Sequence, residues 1–303
     1  MSPLCGAVSL LLLGGAGHEA PVPFPHVRTI PLPGHQVSFE AGGEEAVRFH
    51  FGPDSPRPFV FPFTGPSGHR LTRMGHPHDP YGHRHHRSIW IGHRNVNGLN
   101  FWEEDEPAAI RHERTESLTD GPESASVTVQ LTWQDGDGVP VLRERRTLSL
   151  LLLSDGGRCL DITMVFTPAD TGVTFGKTPF GLLGVRVAKT MSVADGDGVV
   201  RNSEGGVNEE GTLWQRARWV DYTGSADPTT RAGIALFDHP ENPRFPTYFH
   251  VRNDGWMGAS FCYAEPFTLD SGDSLSLRYR LYAHDGDATP DTIDQRWHEF
   301  AEW

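Results

Sequence analysis

Cysteine is scarce in this chain, three in 303 residues, and no two are spaced as a CxxC pair. Long apolar runs are missing too: the run at residues 4–13 is too short to span a bilayer, so no integral membrane segment is expected. Cations fall short of anions, 26 Lys and Arg against 39 Asp and Glu, and the net charge of −13 repels phosphate backbones, which argues against nucleic acid as a partner. What is abundant is 34 Gly and 24 Pro, spread along the chain, which weaken helix interiors and suit short strands joined by tight turns. With 37% hydrophobic residues and eight Trp, a large core can be filled, which excludes disorder and a disulfide-stapled miniprotein.

No Lys or Arg precedes the apolar run, yet small residues follow it at 14–17. Residues 1–20 thus resemble the apolar and cleavage regions of a secretory signal, and export is the expectation, with the cytoplasm as the alternative. Cys159 and Cys262 then remain, both in strand-like sequence, and read as buried thiols rather than a disulfide. Residues 21–35, rich in Pro, read as an extended lead-in, and residues 36–303 as a single domain without internal repeats.

Apolar and polar residues alternate at 47–51, 59–63, 88–92, 126–133, 141–153, 159–166, 182–187, 213–222, 233–237, 247–251, 257–263 and 274–283, which predicts twelve strands. Turn signals such as Asp135-Gly136-Asp137-Gly138 and Asp195-Gly196-Asp197-Gly198 separate them as antiparallel hairpins. Neither DGDG pair is followed by the further oxygen ligands and distal Glu of a calcium loop. Only residues 290–302 read as a helix, with Pro at the start and Ile293, Trp297 and Phe300 on one stripe. The expected fold class is all-β and antiparallel, with one C-terminal helix.

Chemistry concentrates at residues 76–93, HPHDPYGHRHHRSIWIGH, which hold six of the sixteen histidines beside Asp79, Arg84 and Arg87. Imidazole donates or accepts hydrogen bonds and titrates near neutrality, so a polar pocket containing His85, His86, Arg87 and His93 is expected. If the strand at 88–92 extends backwards, His83 and His85 share a face, and with His93 and Asp79 they form an alternative transition-metal site. Arg84 and Arg87 would repel such a cation, and no cofactor is expected. Structural histidines are the third alternative.

Two other segments offer ligand groups. Asn202 and Glu204 place an amide beside a carboxylate on a turn, suited to sugar hydroxyls or general base work, or simply to capping. Alternation puts Trp214, Arg216 and Arg218 on one face, where Trp214 suits a pyranose ring and the guanidinium groups suit a carboxylate. Tyr248, His250 and Arg252 share a strand face in the same way.

Five motifs in order, HPHDPYGHRHHRSIWIGHRNVNGLNFW, FGKTPFGLLGVRVAKTM, RNSEGGVNEEGTLWQRARWVDYTG, GIALFDHPENPRFPTYFHVRNDG and EPFTLDSGDSLSLRYRLYAHDG, resemble the family labelled methane oxygenase PmoA. The label implies a metal-dependent oxygenase, whereas the membrane subunit of methane monooxygenase needs several apolar helices of about twenty residues, which this sequence lacks. Structurally the resemblance implies a large antiparallel β-supersandwich akin to galactose mutarotase. It also implies that His86 matches the first catalytic histidine of such enzymes and that Glu265 stands where the base would come. Lys177 lies nearest the second acid, since no histidine occurs between His112 and His239. The expected function is proton-transfer chemistry, epimerisation or elimination, on a carbohydrate or sugar acid, with His85 or His86, Glu204 or Glu265, and Lys177 as catalytic groups. A non-catalytic carbohydrate-binding module and a metal-dependent oxygenase are the alternatives.

Overall fold

The computed structural model describes residues 26–75 and 83–303, and two antiparallel sheets face one another across a common core. The first sheet has nine strands, in spatial order Val27–Leu32, Gln36–Ala41, Glu44–His50, Phe59–Phe63, Ile89–His93, Gly181–Arg186, Trp256–Ser260, Tyr248–Arg252 and Gln215–Arg216. The second has eight: Val199–Asn202, Trp219–Ser225, Arg231–Asp238, Leu275–Asp285, Arg158–Pro168, Pro140–Leu152, Ser124–Gln134 and Ala109–Thr119.

Strand alternation sorts the side chains as the sequence pattern requires. In Pro140–Leu152 the inward positions are Leu142, Glu144, Arg146, Leu148 and Leu150, all buried. Two of these are charged, and they are tolerated because each satisfies the other: Arg146 holds Glu144 through two hydrogen bonds of 2.6 and 2.8 Å, and Trp133 Nε1 donates to the same carboxylate at 2.7 Å. In the DGDG turn after Ser124–Gln134, Asp135 accepts from the amides of Asp137 and Val139, as turn chemistry predicts.

The C-terminal helix, Pro290–Ala301, starts at Thr289, whose side chain accepts from the Thr292 amide. Its stripe of Ile293, Trp297 and Phe300 covers Cys159, Trp219, Phe237 and Tyr282 on the outer face of the eight-stranded sheet. Cys159 and Cys262 are both free and buried, and burial raises each thiol to about 12. Among the described residues no helix is long and apolar enough to cross a membrane.

Several expectations need correction: among the described residues there are nineteen strands rather than twelve, and a five-residue helix, Asn208–Thr212, besides the C-terminal one. Residues 27–32, placed in the lead-in, form an edge strand paired along its length with Gln36–Ala41, and Val27 is fully buried. The strand expected at 213–222 is broken: Trp214 turns the chain at φ +58°, Gln215–Arg216 then joins the first sheet, and the chain crosses at Ala217 and Arg218 to Trp219–Ser225 in the second. Ala109–Thr119 was not foreseen, since this outermost strand is largely exposed and its HERTESLT stretch carries no apolar alternation.

Candidate functional site

The outer face of the nine-stranded sheet carries a second apolar cluster, built on missing side chains. Register places Trp90 opposite Gly184, Gly184 opposite Gly258 and Gly258 opposite His250, a single row across four strands. The adjacent row holds Arg186, Trp256 and Arg252. A Cβ at Gly184 would lie 2.7 Å from the Trp256 ring and 2.8 Å from that of Trp90. With no side chain there, both indoles fold down onto the sheet, 5.2 Å apart, and Trp102 packs against them at 5.3 and 5.7 Å.

His83–His85 form one turn of 3-10 helix leading into the strand that carries Trp90. Gly75 permits it, since a Cβ there would come within 2.3 Å of the His83 carbonyl, and its amide donates to the His86 carbonyl at 2.6 Å. The turn brings three imidazoles together: His83 stacks on His86 at 4.6 Å, and His85 meets His86 edge-on at 4.4 Å. His86 in turn lies on both indoles, 5.0 Å from each.

These groups line a cavity of 640 Å³. Its polar wall consists of the imidazoles of His83, His85, His86 and His250, the carboxylates of Glu103, Glu209 and Asp254, and Arg252, while Trp256 and Phe180 supply aromatic surface. Each carboxylate has a basic neighbour: Glu209 lies 2.8 Å from Arg252, Asp254 lies 2.8 Å from Arg186, and Glu103 lies 3.2 Å from His85 Nδ1. Behind the His85–Glu103 pair sits the buried guanidinium of Arg57, which donates to the His85 carbonyl at 2.6 Å and the Glu103 carbonyl at 3.4 Å. Burial lowers Arg57 to about 10.

Burial also lowers the basicity of three of these imidazoles. It pushes His250 down to about 3, helped by Arg252, and His85 to about 4, helped by Arg57 and His83, and it holds His86 well below the ordinary histidine value. Glu103 is shifted the other way, upward from its ordinary value, again chiefly by burial. Each neutral imidazole offers one donor and one acceptor nitrogen. The Nδ1 atoms of His86 and His250 are buried with no hydrogen-bond partner among the described residues, a costly state that a ligand hydroxyl would relieve.

Residues 36–298 match the family model described as a family of unknown function (DUF6807). The chain belongs to that DUF6807 family. No curated protein matches the DUF6807 chain by sequence. Among solved structures it is similar to a galactose 1-epimerase from Lactobacillus acidophilus NCFM, with TM-score 0.40 and 9% identity over 83% of this chain and 95% of that one. It is also similar to a GalM/aldose epimerase homologue from C. elegans, with TM-score 0.36 and 12% identity over 88% of this chain and all of that one, 100%. Neither likeness carries a functional residue across.

Of the residues singled out from the sequence of this DUF6807 chain, His83, His85, His86, His250 and Arg252 meet in the cavity. The others do not line it. His93 is fully buried, bonded through Nε2 to the Gly176 carbonyl at 2.9 Å and packed on Phe175. Lys177 and Glu204 are exposed on turns, and Asn202 is buried as the cap for the amides of Glu204 and Gly206. Glu265 is exposed beside Arg244. Arg87 pairs with Glu104 and lies over Phe59. Arg216 donates to the carbonyls of Arg244 and Pro246, and Arg218 pairs with Asp294 of the C-terminal helix over the Trp297 ring. Trp214 and Tyr248 stand just outside the cavity, Trp214 touching His250.

The described members of the metal set, His83, His85 and His93, do not share one strand face. His83 and His85 lie on a turn rather than on one strand face, and His93 is committed to Gly176. Among the described residues no three His, Cys, Asp or Glu side chains are disposed to hold a metal ion. His76, His78 and Asp79 lie outside the described residues. Sequence reasoning missed Arg57, Glu103, Phe180, Glu209, Asp254 and Trp256. Only the Glu103 to Glu106 acidic run following Trp102 gave a visible signal.

Proposed function

We propose that this cleft binds a carbohydrate and performs proton transfer on it. One observation carries the reading: the buried, unpartnered Nδ1 atoms of His86 and His250 belong to the same cavity as the Trp256 and Phe180 rings and three carboxylates. A pyranose presents apolar C–H faces to aromatic surface and hydroxyl groups that both donate and accept, which uncharged imidazoles and carboxylates match. The charged groups are already paired, so the site does not demand an ionic ligand.

Within this reading the acid/base role moves from His86 to Glu103. An imidazole held far below neutrality is a weak base, whereas the Glu103 carboxyl lines the cavity 3.2 Å from His85 Nδ1 and burial raises its proton affinity above the ordinary value. Glu103 would accept a proton from a carbon beside the sugar carbonyl and return one, with His85 beside it at 3.2 Å steadying the carboxylate. A binding module without turnover is the second reading, favoured by the same low basicity of His85, His86 and His250.

A panel of aldoses, ketoses and sugar acids, incubated in deuterated water and followed by NMR, tests both. Solvent deuterium appearing at one sugar carbon, lost on Glu103→Gln while binding persists, supports catalysis. Binding without exchange in wild type favours the module, and absence of any sugar binding ends the carbohydrate reading.

A further inference from the structure

The contact between His85 and Glu103 joins two segments that share no strand. His85 ends the 3-10 turn, Glu103 lies on the loop after Trp102, and their side chains meet at 3.2 Å. Asn100 shapes the loop from within, its Oδ1 accepting from the amides of Trp102 and Glu103 at 2.9 and 3.2 Å. Gly92 lets the loop lie close on the strand Ile89–His93, since a Cβ there would come within 2.6 Å of the Phe101 carbonyl oxygen. Between turn and loop stands Arg57, on the connection from Glu44–His50 to Phe59–Phe63. Its Nη2 donates to the His85 carbonyl at 2.6 Å and its Nη1 to the Glu103 carbonyl at 3.4 Å. The Arg57 backbone is itself anchored: the Ser55 hydroxyl donates to the Arg57 carbonyl at 2.7 Å, and the Ile110 amide donates to the Pro56 carbonyl at 2.7 Å. One planar group thus ties both carbonyls to a third, fixed segment.

Stability alone is a poor reason for a guanidinium here. Arg57 is buried, and burying an ion is unfavourable unless a close partner and full hydrogen bonding offset it. Neither condition is met. The nearest carboxylate, Glu104, is 3.8 Å away and is engaged by Arg87, and Arg57 Nε has no hydrogen-bond partner among the described residues. A neutral side chain of similar volume would pack there more cheaply, but it would give up the fork that spans both carbonyls and the positive charge beside the pair. Both members of the pair feel that charge. Burial raises the Glu103 carboxyl, and Arg94 and then Arg57 oppose it, while for His85 Arg57 adds to the lowering that burial begins.

We infer that Arg57 is the positioning residue of this pair: its fork fixes the separation of His85 and Glu103, and its charge favours the ionised carboxylate that acts as the base. The inference rests on the proton-transfer reading of the cleft and adds to it the residue on which the base depends. Lysine would supply the charge, but a single ammonium group does not reproduce the planar fork between two carbonyls. Methionine supplies neither.

The test is deuterium exchange into whichever of glucose, galactose and glucuronate exchanges fastest in wild type, followed by NMR as a function of pH in wild type, Arg57→Lys and Arg57→Met. The Glu103 titration is followed alongside through labelled carboxyl carbons. Arg57→Lys should lower kcat about tenfold with KM within about twofold, the signature of a misplaced acid/base group, and should leave the acid limb in place. Arg57→Met should lower kcat as well and move both the acid limb and the Glu103 midpoint to higher pH, because the ionised carboxylate loses a neighbouring cation. If limb and midpoint both stay where wild type has them, Arg57 serves the fold alone and the inference is overturned, whatever kcat does. Wild-type kcat in Arg57→Lys overturns it too, and decides the matter if Arg57→Met fails to fold. In both of those outcomes wild type still exchanges, so the proton-transfer reading stands. Absence of exchange in wild type ends that reading and the positioning role with it.

Discussion

His86 lies nearly flat against Trp256, with ring centroids 5.0 Å apart and planes 21° apart, and stacks on Trp90 at the same separation. A histidine placed on two indoles is cut off from water on those sides, which is the physical origin of its lowered pKa and of the stranded Nδ1. On the proposed reading the arrangement separates packing from recognition, with the ring planes contributing to stability and the ring nitrogens to sugar binding.

That separation can be tested by His86→Phe, which keeps the stack and removes the nitrogens. Melting temperature should stay within a few degrees of wild type, while affinity for a bound sugar falls about tenfold, the worth of one or two hydrogen bonds to a buried group. A large drop in melting temperature with unchanged affinity would assign His86 to structure alone.

Gly184 underlies the same stack. Gly184→Ala places a Cβ 2.7 Å from Trp256 and 2.8 Å from Trp90, so both indoles must shift to admit it. Overpacking of this kind should cost about 1–3 kcal/mol, read as a lower denaturant midpoint, and should alter the near-ultraviolet circular dichroism of the Trp cluster. An unchanged spectrum would mean that the indoles do not depend on the glycine.

How much of this was legible beforehand follows from the range of the interactions involved. Strands such as Phe59–Phe63 and the helix Pro290–Ala301 are written locally, in alternation and in a proline start, and both were read from the sequence. His85, His86, His250 and Arg252 could be chosen as polar groups in strand-like contexts, but which of many candidates converge depends on register between strands far apart in the chain. Lys177, Glu204, Arg216 and Arg218 carried equally good local arguments and lie elsewhere. Arg57 had no signal at all, since its role comes from reaching the carbonyls of His85 and Glu103, 28 and 46 residues away.

Arg57 supplies a further test through electrostatics. After burial, its guanidinium is the next cause holding His85 down to about 4. Arg57→Met keeps much of the volume and removes the charge, so the His85 titration followed by NMR should move upward from that value. A midpoint that stays put would show that burial alone sets the His85 pKa.

The last prediction concerns pH and stability, where two buried histidines act with opposite sign. Burial lowers His93 to about 4, the Gly176 carbonyl only partly opposing it, so between pH 6.5 and 4 the unfolded chain binds a proton that the folded chain refuses. The folded state therefore loses stability as pH falls through that window, by about 1.4 kcal/mol per unit for such a group, and is unaffected by His93 above it. For His284 burial alone would lower the pKa, but the Asp221 carboxylate 3.0 Å away reverses the shift and raises it. Its contribution is complete below pH 6.5 and is lost as pH rises through the folded value. Urea midpoints measured at pH 5, 6.5 and 8 should thus show a shallower acid limb in His93→Gln and a flatter alkaline limb in His284→Gln, each relative to wild type. If His93→Gln is as acid-sensitive as wild type, the fall must come from other groups, His250 foremost, since burial holds it at about 3.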